Sequence, residues 1–109
     1  PSVGTFTALV GATNPTLTTG DANEGYFNAI HISFDFWYMG IRSTTLSAST
    51  DGWIALGANA TAAIPVNDLS GDGGPRPLMA LLWYYLHLQL TTNLSYLTTG
   101  AAGARIFTL

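Results

Sequence analysis

Ile30-His-Ile-Ser-Phe-Asp-Phe-Trp-Tyr38 alternates over nine residues. Ile30, Ile32, Phe34, Phe36 and Tyr38 share one parity; His31, Ser33, Asp35 and Trp37 share the other. Successive side chains of a strand point to opposite faces, so this pattern predicts a half-buried β-strand. Met39-Gly40 then turns the chain. Ile41 to Ala48 reads as a second strand, with Ile41, Ser43, Thr45 and Ser47 opposing Arg42, Thr44, Leu46 and Ala48. A hairpin joins the two, and Gly40 supplies the backbone angle that its turn needs.

On the C-terminal side of this hairpin, Ser49-Thr-Asp-Gly52 is a turn, Asp-Gly being a strong short-range signal. Trp53-Ile-Ala-Leu56 is a short strand closed by Gly57, and Ala58 to Gly74 is a long loop. Arg76-Pro-Leu-Met-Ala-Leu-Leu-Trp-Tyr-Tyr-Leu-His-Leu-Gln-Leu90 holds the longest apolar run. Pro75-Arg-Pro77 cannot sit inside a helix, because Pro lacks an N–H and restricts its predecessor. The run predicts a buried central strand, continued by a second strand or an exposed apolar edge. Its Leu, Met and Ala content leaves a helix as the rival reading. Leu94 to Thr98 and Arg105 to Leu109 are further strands about a turn at Thr99 to Gly103. On the N-terminal side, Ser2 to Val10 reads as a strand and Thr16 to Thr19 as a short one. Gly11 to Pro15 is a turn, and Gly20 to Gly25 a polar loop. Short strands parted by Gly, Pro, Asn and Asp predict one all-β domain over residues 1–109, an antiparallel β-sandwich of jelly-roll or Ig-like type. The last strand still runs at Leu109, which predicts a natural domain that continues.

Composition narrows the function. Charged residues make up 8% of the 109, against a usual ~25%. Net charge is −3, all three basic residues are Arg, and there is no Cys. Three scattered Arg cannot build a nucleic-acid groove. Without Cys there is neither a disulfide framework nor a thiolate metal site. No apolar run approaches the ~20 residues of a membrane-spanning helix. So few charges suit a surface covered by neighbouring chains, by sugar, or by the rest of a longer protein.

The chemistry-bearing residues are sparse. His31 and His87 lack metal-ligand or triad spacing and read as surface or hydrogen-bonded groups. Asp68-Leu-Ser-Gly-Asp-Gly73 copies the first half of a calcium loop, with Asp68, Ser70 and Asp72 at alternate positions. The place of the bidentate Glu is held by Met79. An Asx-rich turn is the plainer reading. Calcium is the one cofactor the residues suggest. Asn59-Ala-Thr61 and Asn93-Leu-Ser95 are glycosylation sequons. Arg76 and Arg105 would orient loops by pairing with Asp51, Asp68 or Asp72. Trp53 and Trp83 read as core between two sheets. Trp37, Tyr84 and Tyr85 suit an interface or a sugar-stacking platform, since aromatics are enriched where proteins meet.

Six pieces stand in order: Gly4-Thr-Phe-Thr-Ala-Leu-Val-Gly11, Ile32-Ser-Phe-Asp-Phe-Trp-Tyr-Met-Gly40, Ser49-Thr-Asp-Gly-Trp-Ile-Ala-Leu-Gly57, Asn67-Asp-Leu69, Arg76-Pro-Leu-Met-Ala-Leu-Leu-Trp83, and Leu94-Ser-Tyr-Leu-Thr-Thr-Gly100 with Arg105-Ile-Phe-Thr108. In order and spacing they resemble a β-sandwich module of Bacteroidetes-type surface proteins, often exported by the type IX route. That module has Asn-Gly-Trp where this chain has Asp51-Gly-Trp53. It has an acidic pair where this chain has Tyr84-Tyr85, and Pro where this chain has Leu82. These exchanges favour packing against another chain. The resemblance implies an exposed surface module and no chemistry.

The expectation is therefore a non-enzymatic structural or adhesive protein, extracellular or at the cell surface. It would self-assemble into a filament or layer through Trp37, Tyr84, Tyr85, Leu86, Leu88 and Leu90. The partners are copies of itself, with no nucleic acid and no membrane span. The rival expectation is a carbohydrate-binding module, with glycans as partners.

Overall fold

The computed structural model describes residues 4–5, 7–57, 59–67, 70 and 75–109. Its strands are β1 (Tyr26–Tyr38), β2 (Ile41–Ser49), β3 (Trp53–Leu56), β4 (Leu78–Ala80), β5 (Leu97–Thr99) and β6 (Ile106–Thr108). The described residues hold one 3-10 turn, Thr91–Asn93, and no α-helix. β1 to β4 form an antiparallel meander in chain order, and β5 pairs antiparallel with β6. The fold is an all-β antiparallel sandwich in which a two-stranded layer partly covers a four-stranded one.

The β1–β2 hairpin is the spine. Tyr38 pairs with Ile41, and Met39 (φ 51°) and Gly40 (φ 77°) lie between them. Positive φ at both central residues is the type I′ turn, whose twist matches that of paired strands. Ile30 and Ile32 are fully buried, and Phe34, Phe36 and Tyr38 pack at the margin of the same core. Leu46, Ala48 and Leu56 join them from β2 and β3; Tyr96 and Phe107 cover them from the second layer. Burial of this set, at ~25 cal/mol per Å² of apolar surface, is the main force holding the layers together.

β1 is longer than its alternating core and less regular. Phe27 and Ile30 are both buried although three apart, because β1 carries one extra residue between Phe27↔Ala48 and Ile30↔Leu46. This β-bulge places Ala29 at φ 55° and resets which parity faces the core. A second irregularity lies between His31↔Thr45 and Phe36↔Ser43, with Ser33 at φ 68°. The second layer is tied on at this point. Thr98 Oγ1 donates to the Ile32 carbonyl at 2.8 Å, and Arg105 Nη1 donates to the Ser33 carbonyl at 3.0 Å. Backbone groups that leave the ladder thus find partners elsewhere.

Trp53 and Trp83 are buried, but not between the two layers. Trp53 and Ala55 alternate with Ile54 and Leu56, so they face the opposite side of the sheet. There the irregular loop around residues 59–66 lies over them. Trp53 Nε1 donates to the Ala63 carbonyl at 2.8 Å, and Trp83 Nε1 to the Ile64 carbonyl at 2.7 Å. The rings stand 6.3 Å apart, tilted by 53°. Asn28 anchors the same loop. Its Oδ1 accepts from Ser47 Oγ (2.7 Å) and Ala60 N (2.9 Å), while its Nδ2 donates to the Ala60 carbonyl (3.1 Å).

Three expected strands differ. Among the described residues of 4–19, only isolated bridges form, Thr13 with Tyr96 and Thr19 with Tyr26. The apolar run supplies just Leu78–Ala80, and as an edge strand, not a central one. Beyond Ala80 the chain is neither strand nor helix up to Thr91. The calcium-loop pattern falls mostly outside the described residues: Asp68 and Asp72 do so, and Ser70 is exposed.

Candidate interaction surface

β4 pairs with β3 through Trp53↔Ala80, Ile54↔Met79 and Ala55↔Leu78. The chain then leaves the sheet, and Trp83 plunges into the core beneath the loop. The segment from Tyr84 to Leu90 is irregular but firmly held. Tyr84 N donates to the Asp51 carbonyl (3.2 Å), Leu86 N to Asp51 Oδ1 (3.3 Å) and Leu88 N to the Ala22 carbonyl (2.8 Å). Asn23 Nδ2 donates to Tyr85 Oη at 2.8 Å. The segment's backbone is thus stapled to two turns, 20–25 and 49–52.

Many of them point into solvent. Leu81 is 105% exposed, Leu82 64%, Tyr84 70% and Leu90 60%; Tyr85 is about half exposed. Leu86 and Leu88 behave differently. Leu86 is half-buried with its Cδ1 beside Gly52, and Leu88 packs on the core between the layers. Trp37 lies elsewhere, at the hairpin tip with exposed Met39 and Ile41. There Arg42 pairs with Asp35 at 3.2 Å, an exposed ion pair worth at most ~1 kcal/mol. The structure therefore splits the six aromatic and Leu candidates into an exposed ridge (Tyr84, Tyr85, Leu90), an inward pair (Leu86, Leu88) and a remote tip (Trp37). It adds Leu81 and Leu82 to the ridge. Composition assigns those two to a buried strand, and no signal in the sequence separates the two cases.

Asp51 is the polar pivot of the site. It is 0% exposed. Its Oδ1 accepts from Leu86 N, and its Oδ2 has no hydrogen-bond partner among the described residues. Desolvation holds its carboxyl above the usual carboxylate range, opposed by the Leu86 N–H and reinforced by the negative charge of Glu24. Asp21 goes the other way. The N–H groups of Glu24 and Asn23 bond its Oδ1 and lower its pKa, so this exposed loop carries a firm negative charge.

The Asp51 shift fixes a pH dependence. A folded pKa above the unfolded one means that the folded state holds the proton more tightly. The resulting stability is fully present below the unfolded value near pH 4, and is lost as pH rises through the raised folded value. Asp51→Asn keeps an acceptor for Leu86 N and removes the buried charge. It is expected to raise Tm at pH 7 by about 4 °C, roughly 1 kcal/mol in a domain of this size. A melting series from pH 4 to 8 would show the wild-type decline flattened in the variant. An unchanged slope would remove Asp51 as its source.

The remaining chemistry-bearing groups do not converge. His31 and His87 are exposed, Asn59 is exposed, and Asn93 is exposed on the 3-10 turn. Arg105 binds the Ser33 carbonyl and forms no ion pair with an acid among the described residues. No cluster of three His, Cys, Asp or Glu with metal-holding geometry occurs among the described residues. No described helix is long and apolar enough to cross a membrane. No curated protein and no solved structure matches the chain. One family match spans residues 1–109, to the family described as NIDO related.

Proposed function

The chain belongs to the NIDO-related family, an extracellular-type domain, and from that premise we propose that it is a non-enzymatic structural or adhesive module that associates with copies of itself at a cell surface. The observation that carries this reading is the ridge of Leu81, Leu82, Tyr84, Tyr85 and Leu90, exposed on a segment whose backbone is held through the N–H groups of Tyr84, Leu86 and Leu88. Exposed apolar surface of this kind marks interaction sites. A pre-ordered segment gives up little conformational entropy when a partner covers it. The sparse charge, three Arg and six acids in 109 residues, leaves little repulsion between copies. The bacterial surface module that the sequence resembles fits the same role.

Light scattering after size-exclusion chromatography, with negative-stain microscopy, tests the reading. The wild type is expected to form dimers or larger assemblies at tens of micromolar. Tyr84→Asp with Leu90→Asp is expected to leave a folded monomer, because both side chains stand in solvent. A wild type that stays monomeric up to ~1 mM sinks self-association. The second reading, glycan binding, rests on exposed Trp37, whose flat indole lies across the ladder from Arg42 and beside the Arg42–Asp35 pair. Glycan binding that Trp37→Ala abolishes would favour it.

A further inference from the structure

The molecule carries a second apolar surface, unlike the ridge. β5 and β6 cover only part of the inner face of the four-stranded sheet, and among the described residues β6 pairs with β5 alone. Beside them lies a groove of about 400 Å³ floored by Phe34, Phe36, Ile54 and Met79, with Ile106 and Phe107 on its wall. Ile106 is 62% exposed. Arg105 is also part of the lining, exposed and in no ion pair with an acid among the described residues.

Charge distinguishes the two surfaces. The ridge is flanked by the 20–25 turn, because Asn23 bonds Tyr85 Oη and Ala22 bonds Leu88 N. That turn exposes Asp21 and Glu24, and neither has an ion pair among the described residues. The groove offers apolar floor plus a guanidinium; the ridge offers apolar side chains plus carboxylates. From this complementarity we infer that copies associate head to tail, the Leu81–Leu90 ridge of one seating in the groove of the next. Ridge against ridge would put two acidic turns in one interface, and groove against groove two guanidinium groups; neither supplies the opposite charge that ridge against groove supplies. A head-to-tail contact joins two different patches, so it propagates as an open chain or closes into a ring. The inference rests on the self-association proposed above and names its geometry.

A complementation experiment decides it. Leu81→Asp/Leu82→Asp disables the ridge and leaves the groove intact. Arg105→Glu/Ile106→Asp disables the groove and leaves the ridge intact. All four side chains are solvent-exposed, so neither variant empties the core. Circular dichroism and melting curves check that both fold. Each variant alone is expected to be monomeric, with association at least 100-fold weaker than wild type. Mixed at equal concentration they are expected to form a heterodimer that grows no further, because one intact ridge and one intact groove remain per pair. A wild type that assembles while the mixture stays monomeric overturns the head-to-tail geometry and leaves self-association standing. Assembly of either variant alone at wild-type strength overturns it too. A wild type that never associates overturns both.

Discussion

Trp53→Ala is expected to cost about 4 kcal/mol of folding stability, the middle of the range for loss of a buried aromatic. Trp53 is 1% exposed, lies across from Ala80 on β4, and touches Trp83 on the far side of the sheet. Its removal opens a void where the loop around 59–66 meets β3, and that loop has no ladder of its own with which to collapse inward. The polar part of the loss is small. The Ala63 carbonyl also accepts from Ser49 Oγ, and the Ile64 carbonyl also accepts from Trp83 Nε1. Both acceptors stay bonded when the Trp53 indole is gone. Trp53→Phe should therefore cost only about 1–2 kcal/mol, since most of the ring packing is kept and no acceptor is orphaned. Urea titration followed by far-UV circular dichroism separates the two variants without relying on tryptophan fluorescence. Equal losses for Ala and Phe would mean that the hydrogen bonds, not the packing, fasten the loop.

The parts of this fold that were legible in the sequence are those where one local rule decides. The Ile30–Tyr38 alternation, the Met39-Gly40 turn and the Trp53–Leu56 strand all appear at or near their expected bounds. The Asn28-Ala29 bulge was not legible. Tyr26 to Ile30 has ordinary strand composition, and the extra residue is stabilised by Ser47 and Ala60, which are distant in sequence. The location of Trp53 was legible as burial but not as a face. Alternation says that neighbours oppose each other, and not which side a later loop will cover.

The apolar run from Leu78 to Leu90 shows the limit most clearly. Its composition is that of a core strand, yet only Leu78–Ala80 enters the ladder. The rest is claimed by acceptors that the sequence does not place nearby: the Asp51 and Ala22 backbone carbonyls and the Asp51 side-chain carboxylate. The exposed apolar ridge was therefore half legible. Tyr84 and Tyr85 stand out as aromatics, the residue type enriched where proteins meet, and with Leu90 they are exposed. Leu81 and Leu82 could not be told from core, nor could Leu86 and Leu88 be told from surface. That division depends on where the chain leaves the sheet, which is set by long-range contacts.

Gly52→Ala tests whether this docking holds the ridge in shape. Gly52 has φ +82°, a region that costs an L-residue roughly 1 kcal/mol or more by itself. A Cβ there would also run into the Leu82 carbonyl oxygen and come within 2.8 Å of Leu86 Cδ1. The carbonyl is backbone and cannot swing aside, so the turn and the segment must separate. Separation breaks the bonds from Tyr84 N and Leu86 N to Asp51 and leaves the buried Asp51 carboxylate with fewer partners still. The expected loss is about 3–4 kcal/mol, close to the effect of Trp53→Ala and for a different reason. Gly40→Ala is the matched control, because Gly40 has nearly the same φ, +77°, and nothing within 4 Å of its would-be Cβ. It should cost only the conformational ~1 kcal/mol and leave assembly unchanged. Gly52→Ala should loosen residues 81–88 as well, read as faster amide hydrogen exchange at Tyr84 and Leu86, and should weaken self-association along with stability. Equal stability losses for the two glycine variants, with unchanged exchange at Tyr84, would show that the ridge keeps its form without the turn beneath it.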